Sequence, residues 1–165
     1  MATRTLRQRG FAFISLLIVL ALMALAASAT VMLGVVAQRR AAEDALLEIG
    51  HEFQQALGSY ISSTPAGQPM YPNTLQDLLK DPRTPLLRRH LRKLYADPMT
   101  GNSQWALIPS PAGQGFQGVH SLSPARPIRL ANFDSEFIGF EGRTSYREWP
   151  FVVAAPGNAI LDFSN

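Results

Sequence analysis

The pattern of apolar and polar positions divides the chain into three stretches. From Gly10 to Ala37 there are 28 residues without a charged side chain. Beyond Arg40, apolar residues recur at steps of three and four, which places them on one stripe of a helix. The stripe consists of Leu46, Ile49, Phe53, Leu57 and Tyr60. After residue 100 the chain changes to short apolar runs bounded by Gly, Pro and Ser, a pattern typical of strands.

The first two stretches together predict one long helix. No proline occurs before Pro65, so a helix can run from about Phe11 to Ser62. The run SSTPAGQP at 62–69 then ends it. Because the stripe is apolar, we expect 38–62 to be an amphipathic helix that packs on a C-terminal domain. Four acidic residues are expected largely off the stripe: Glu43, Asp44, Glu48 and Glu52.

The remaining pattern predicts small elements that complete an α+β fold. YPNTLQDLLKDP indicates a short helix, with Asn73 or Thr74 as N-cap and Gln76 or Asp77 at the capping-box position. The leucines of LLRRHLRKL predict another helix over 86–94. An antiparallel sheet is expected from the runs at 104–109, 115–123 and 148–155. The 131–147 stretch is poorly periodic, and we expect a loop with one irregular strand.

The charge distribution indicates membrane topology rather than a surface that binds nucleic acid. The net charge is +3, but residues 11–165 carry twelve basic and twelve acidic side chains. The excess lies in the first nine residues, at Arg4, Arg7 and Arg9. A helix of 28 residues is about 42 Å long, more than the ~30 Å hydrocarbon core of a bilayer. The positive-inside rule predicts a single span with a cytoplasmic N-terminus, and no nucleic-acid partner is expected.

Three interpretations of the apolar stretch stay open on composition alone. The sequence ALAASA, ending at Ala29, fits a signal-peptidase site that would release a periplasmic binding or adaptor domain. The continuation TVMLGVVA extends the apolar run beyond that site and favours a retained segment. A retained segment is either an uncut anchor or a helix that is processed at its start.

The boundary RG|FAFIS favours processing at the start of the helix. A short basic leader ends in Gly10, and Phe11 opens the apolar run. This arrangement resembles the leader of type IV pilin-like proteins. The resemblance implies that prepilin peptidase cuts after Gly10 and that Phe11 becomes the N-methylated N-terminus. Residues 1–10 would be the leader and 11–37 a transmembrane segment that later packs in a fibre core.

Later motifs extend the resemblance over nearly the whole chain. YPNTLQDLL, YADPMTG, a W-x-L-I strand, GVHSLS and YREWPFV follow in an order similar to that of type II secretion pseudopilins. The resemblance implies a pilin-like fold, in which a long helix packs on a small sheet and 38–165 form the pilin-like domain with its amphipathic helix, small helices and sheet. It also implies a subunit of the bacterial inner membrane with a periplasmic C-terminal domain. Its partners would be other pseudopilins, the inner-membrane assembly platform and prepilin peptidase. A minor pilin of a type IV pilus remains an alternative.

Ser15 departs from the family pattern. Most pilin-like subunits carry glutamate at the fifth residue after the cleavage point, where it neutralises the N-terminal amine of a neighbour. A serine hydroxyl cannot balance a buried ammonium. The resemblance therefore indicates a minor or variant pseudopilin rather than the repeating major subunit.

Catalytic and metal-binding patterns are sparse, and we expect no enzyme. The chain has no cysteine, so thiolate chemistry and disulfides are excluded. Three histidines, His51, His90 and His120, lie in separate segments without the i,i+4 spacing of a helical zinc site. HS at 120–121 lacks a G-x-S-x-G elbow. No cofactor is expected.

Three further sets of residues have side chains suited to binding or packing. Asp134, Glu136 and the terminal LDFSN could offer oxygen ligands, and pseudopilins include calcium binders, but no calcium motif is present and calcium stays unassigned. Trp105 and Trp149 are expected in the core. The basic cluster Arg88, Arg89, Arg92 and Lys93 could touch anionic headgroups or an acidic neighbour, but a solvated helix face is expected because the leucines alone explain the helix.

Overall fold

The structure, a computed structural model, describes residues 8–153, with side chains given outside 8–10, 26–33 and 138. It is an α+β arrangement with an N-terminal helix and a three-stranded antiparallel sheet. The helices are α1 (Gln8–Ser62) and α2 (Leu75–Leu79). The strands are β1 (Ala106–Pro109), β2 (Phe116–His120) and β3 (Phe151–Val152). Two 3₁₀ helices, Ser135–Phe140 and Tyr146–Glu148, precede β3.

The chain divides into two units, one ending at Ala41 and one beginning at Ala42. The second unit contains the hydrophobic core. The apolar stripe of α1 contributes to it as predicted, because Leu46, Phe53, Leu57 and Tyr60 are buried and Ile49 packs against them. Both tryptophans are buried there too, as the sequence predicted. Phe53 meets the ring of Trp105 edge to face at 5.1 Å, which joins the helix to the residues that lead into β1.

The helix α1 ends at Ser62, where the sequence predicted its end. The guanidinium of Arg83 donates to the Tyr60 carbonyl at 2.8 Å and to the Thr64 hydroxyl at 2.8 Å. A cation at this point satisfies a last-turn carbonyl and opposes the negative end of the helix dipole. The helix end is thus held by a side chain from the loop after α2.

The helix α2 begins with the capping box expected from the sequence. Thr74 is the N-cap, and the Asp77 carboxylate accepts from the Thr74 amide at 3.0 Å and from the Thr74 hydroxyl at 2.9 Å. The bond from the Thr74 amide satisfies a backbone donor that has no partner within the helix. Leu78 then enters the core.

The sheet has the order β1-β2-β3, and each neighbouring pair is antiparallel. The three strands lie within the three runs predicted from the sequence. Gly118 on β2 faces Val152 of β3, where a Cβ would come within 2.6 Å of the Phe151 carbonyl oxygen. Only glycine allows this close approach, because any side chain would push the strands apart.

The predicted helix over 86–94 is wrong. This segment is irregular, since the His90 and Leu91 amides both donate to the Leu78 carbonyl at 2.9 Å and the Asp81 amide donates to the Arg88 carbonyl at 3.0 Å. Leu91 is buried, whereas Leu86 and Leu87 are exposed. Tertiary hydrogen bonds therefore take the backbone groups that a helix would have used.

The strand expected within 131–147 is also wrong. The two 3₁₀ helices occupy about half of this stretch, and the side chains of Phe137, Phe140 and Tyr146 within them are buried in the core. Within the first of them, the step of three from Phe137 to Phe140 matches the three-residue turn of a 3₁₀ helix. The poor periodicity thus concealed short helical turns.

Candidate functional site

The first candidate site is the exposed apolar surface of α1. All residues 11–25 are exposed, and Phe11 has 77% of its surface accessible. Eleven large apolar side chains are exposed here: Phe11, Phe13, Ile14, Leu16, Leu17, Ile18, Val19, Leu20, Leu22, Met23 and Leu25. Water is an unfavourable environment for an apolar surface of this size.

The residues predicted for processing lie at the start of this helix. Gly10 falls within α1, two residues after its first residue, and Phe11 follows. Arg4 and Arg7 lie outside the described residues, and the side chain of Arg9 is not described. The predicted signal-peptidase site at Ala29 lies within α1, among residues whose side chains are not described.

The hydroxyl of Ser15 has its hydrogen-bond acceptor within the same helix. Its Oγ donates to the Ala12 carbonyl at 2.9 Å, one turn earlier. Such a bond lets serine sit in an apolar environment without an external partner. The residue therefore places no charge on this surface.

Within the part of the chain whose side chains are described, no helix combines the length and the apolar character needed to cross a membrane.

A buried carboxylate at Glu43 corrects the expectation that this residue lies off the packed face. Glu43 is 3% exposed. It accepts from the Ile128 amide at 2.9 Å, the Arg129 amide at 2.8 Å and the Tyr146 hydroxyl at 2.8 Å. The sequence did indicate that Glu43 could be buried, because Glu43 lies three residues before Leu46 and therefore on the same stripe. The carboxylate holds the loop before the first 3₁₀ helix against α1.

A second buried charge centre joins Asp81 to Arg83. The Asp81 carboxylate accepts from the Arg83 Nε at 2.9 Å and from Nη2 at 2.8 Å, and both side chains are at most 3% exposed. These hydrogen bonds hold the pKa of Asp81 well below its usual range, although burial opposes them. The guanidinium also lies 3.4 Å from the Tyr60 ring centroid. Burial raises the pKa of the Tyr60 phenol, and Arg83 opposes that shift.

A serine, a histidine and an aspartate form a chain of contacts at the same place. His90 Nε2 lies 3.3 Å from Asp81 Oδ2, and His90 Nδ1 lies 2.9 Å from Ser59 Oγ. A hydrolase would also need donors for an oxyanion. Ser59 instead stands in the last turn of α1, at the negative end of the helix dipole. The arrangement fits a structural link between α1 and the segment around His90.

The other two histidines, His51 and His120, lie in separate contacts. His51 Nδ1 lies 2.9 Å from the Glu136 carboxylate, which links α1 to the first 3₁₀ helix. At 120–121, the Ser121 hydroxyl donates to Asp97 at 2.7 Å rather than pairing with His120. Among the described residues no cluster of three His, Asp or Glu side chains could hold a metal ion. The terminal LDFSN considered for calcium lies outside the described residues.

Comparisons of the chain with protein families, with curated proteins and with solved structures find no match.

Proposed function

We propose that this protein is a pilin-like structural subunit of a type II secretion system or a related type IV pilus-like machine. It would insert in the inner membrane through residues 11–37, lose its leader at Gly10, and join a periplasmic pseudopilus with other subunits. The observation that carries the proposal is the division of α1. Its residues 11–25 are exposed and apolar, whereas its stripe from Leu46 to Tyr60 packs in the core of a small α+β unit.

The physical role would be mechanical. An apolar helix that leaves lipid for a bundle of similar helices exchanges one apolar environment for another, so it does not face the full cost of exposure to water. The small unit that begins at Ala42 would then supply the contacts that decide which neighbours the subunit accepts.

Release by signal peptidase after Ala29 is the alternative with a specific observation in its favour. The unit that begins at Ala42 has its own hydrophobic core, so it has the interior that a released binding or adaptor domain would need. An uncut anchor is the third candidate.

N-terminal sequencing of the full chain, expressed in bacteria that contain a prepilin peptidase, separates the three candidates. A chain that begins at N-methylated Phe11 supports the pilin-like subunit. A start at Thr30 supports a released domain, and a start at Met1 or Ala2 supports an uncut anchor.

A substitution at Gly10, the residue before the predicted cut, tests the processing step. Gly10→Leu should keep the leader, because the peptidase must accept a small residue there, while the chain should still reach the membrane. Gly34→Leu is the matched control, since a Cβ at Gly34 meets no atom within 4 Å and the residue is far from the cut. Normal processing of the Gly10 variant would contradict the proposal.

A further inference from the structure

An exposed loop between Arg83 and His90 combines apolar and basic side chains. At its tip, Leu86 is 81% exposed and Leu87 is 63% exposed. Residues 84–89 line a concavity of about 540 Å³. Two adjacent leucines at such exposure form an apolar surface that a partner could cover.

The base of this loop is fixed by buried contacts. Arg83 and His90, seven residues apart, both contact Oδ2 of Asp81, at 2.8 Å and 3.3 Å. The Asp81 amide also donates to the Arg88 carbonyl at 3.0 Å, and Thr84 Oγ1 donates to the Leu86 carbonyl at 2.8 Å. A loop fixed in this way loses little conformational entropy when it binds, so its tip is preorganised.

The charges around the tip all have one sign. Residues 82–96 contain five Arg or Lys side chains and no acidic residue. Of these, Arg88, Arg89, Arg92 and Lys93 are exposed. Among the described residues no carboxylate forms an ion pair with them. The rest of residues 11–165 has seven basic and twelve acidic side chains, so the positive charge is concentrated here.

We propose that Leu86 and Leu87, with Arg88, Arg89, Arg92 and Lys93, form a docking surface for an acidic partner protein. The partner would present leucine-sized apolar side chains beside aspartate or glutamate. The leucines would enter its apolar surface while the arginines pair with its carboxylates, for which the planar guanidinium is well shaped. This surface is independent of the leader and of α1 residues 11–37, so its test and the N-terminal sequencing succeed or fail separately.

Binding can be measured with the full chain in micelles of a neutral detergent. The probe is a fluorescent amphipathic helical peptide with leucine on one face and glutamate beside it, followed by anisotropy. We expect saturable binding that weakens with salt and that is lost when the peptide carries lysine in place of glutamate. Arg88→Glu/Arg89→Glu should weaken binding at least about tenfold. Leu86→Ser/Leu87→Ser should weaken it as well.

The matched control is Arg39→Glu/Arg40→Glu, which changes the net charge equally at two adjacent exposed arginines. It should bind the peptide like the unaltered chain. All the substituted side chains are exposed, and fluorescence of the buried Trp105 and Trp149 reports whether each variant is folded. No binding, or equal weakening by both charge reversals, would overturn the proposal.

An anionic lipid surface is the competing occupant, and a label at the tip distinguishes it. Because the chain has no cysteine, Leu86→Cys gives one site for an environment-sensitive dye. We expect a blue shift when the glutamate peptide is added to neutral micelles, and none when phosphatidylglycerol alone is added. A shift with phosphatidylglycerol but not with the peptide would assign the surface to lipid and overturn the protein partner.

Discussion

Glu43 and Asp81 are two of the three buried carboxylates of the second unit, Asp97 being the third, and each of the two has its own set of donors. Among the described residues, the donors to Glu43 are neutral groups, two amides and a hydroxyl. Asp81 accepts from a guanidinium and contacts an imidazole. Burial of a charge is costly unless such partners are in place, so both residues make the fold depend on a few hydrogen bonds.

Glu43→Gln should destabilise the protein although it is nearly isosteric. All three partners of Glu43 are donors, and the new amide NH₂ would face at least one of them. We expect a loss of about 2–3 kcal/mol in the free energy of unfolding. Denaturant melts of the full chain in neutral detergent, followed by tryptophan fluorescence, measure it. Glu48→Gln, at an exposed position of the same helix, should cost less than about 0.5 kcal/mol. Equal effects would show that Glu43 is not bonded as described.

The lowered pKa of Asp81 predicts that the folded protein loses stability in acid. The folded-state pKa of Asp81 is lowered, chiefly by the Arg83 hydrogen bonds, so the folded state binds a proton less readily than the unfolded state. The stabilisation is complete above the unfolded value of about 3.9 and is lost as the pH falls from there towards the folded-state pKa. Asp81→Asn should be less stable than the unaltered chain at neutral pH and should lose less stability on acidification. Asp134→Asn, an exposed change, should keep the original pH profile.

At the scale of elements, the contact between α1 and β3 depends on a glycine. A Cβ at Gly50 would overlap the ring of Phe151, whereas a Cβ at Gly58 meets no atom within 4 Å. Gly50→Ala should therefore destabilise the protein by about 1–3 kcal/mol through overpacking, even though alanine favours helix. Gly58→Ala should stabilise it by about 0.5–1 kcal/mol. Denaturant melts of the two variants measure both changes in the free energy of unfolding. Stabilisation by both substitutions would mean that Phe151 does not pack against Gly50.

The elements that sequence reasoning predicted are those whose own residues determine them. The stripe from Leu46 to Tyr60 and the capping box at Thr74 are local patterns, and both are present in the structure. The helix expected over 86–94 had the same kind of pattern, but the amides of His90 and Leu91 bond to the Leu78 carbonyl, which no periodicity reveals. Glu43 was misassigned because a buried carboxylate depends on donors from residues 128–146, far along the chain.

At the scale of the whole molecule, the two ends of the α1 sequence have different solvent requirements. Residues 11–25 expose apolar side chains, whereas the stripe from Leu46 is buried in the protein's own core. Leu86 and Leu87 form a second exposed apolar surface, and basic side chains lie around it. The first surface fits an apolar surrounding and the second a charged partner, so they predict different neighbours.

The absence of a carboxylate at Ser15 limits how copies of this chain could assemble. If Phe11 is the mature N-terminus, its ammonium needs a counter-charge inside an apolar fibre, and its uncompensated burial costs several kcal/mol. The Ser15 hydroxyl already donates to Ala12 and carries no charge to offer a neighbour. In lipid, by contrast, serine is less costly than glutamate. The residue thus suits the membrane state better than a repeating fibre, which would meet the missing contact at every subunit.

We therefore expect that overproduction of this protein alone, with assembly machinery present, yields no long fibres by electron microscopy. Ser15→Glu should increase incorporation into fibres, because a carboxylate at that position can neutralise the amine of the next subunit. Ser15→Gln is the matched control, since it has similar length and polarity but no charge, and it should behave like the unaltered chain. Gain of fibres with glutamine as well would assign the effect to side-chain size rather than charge. Abundant fibres of the unaltered protein would contradict the minor-subunit assignment, because they would show that the amine is neutralised without Ser15.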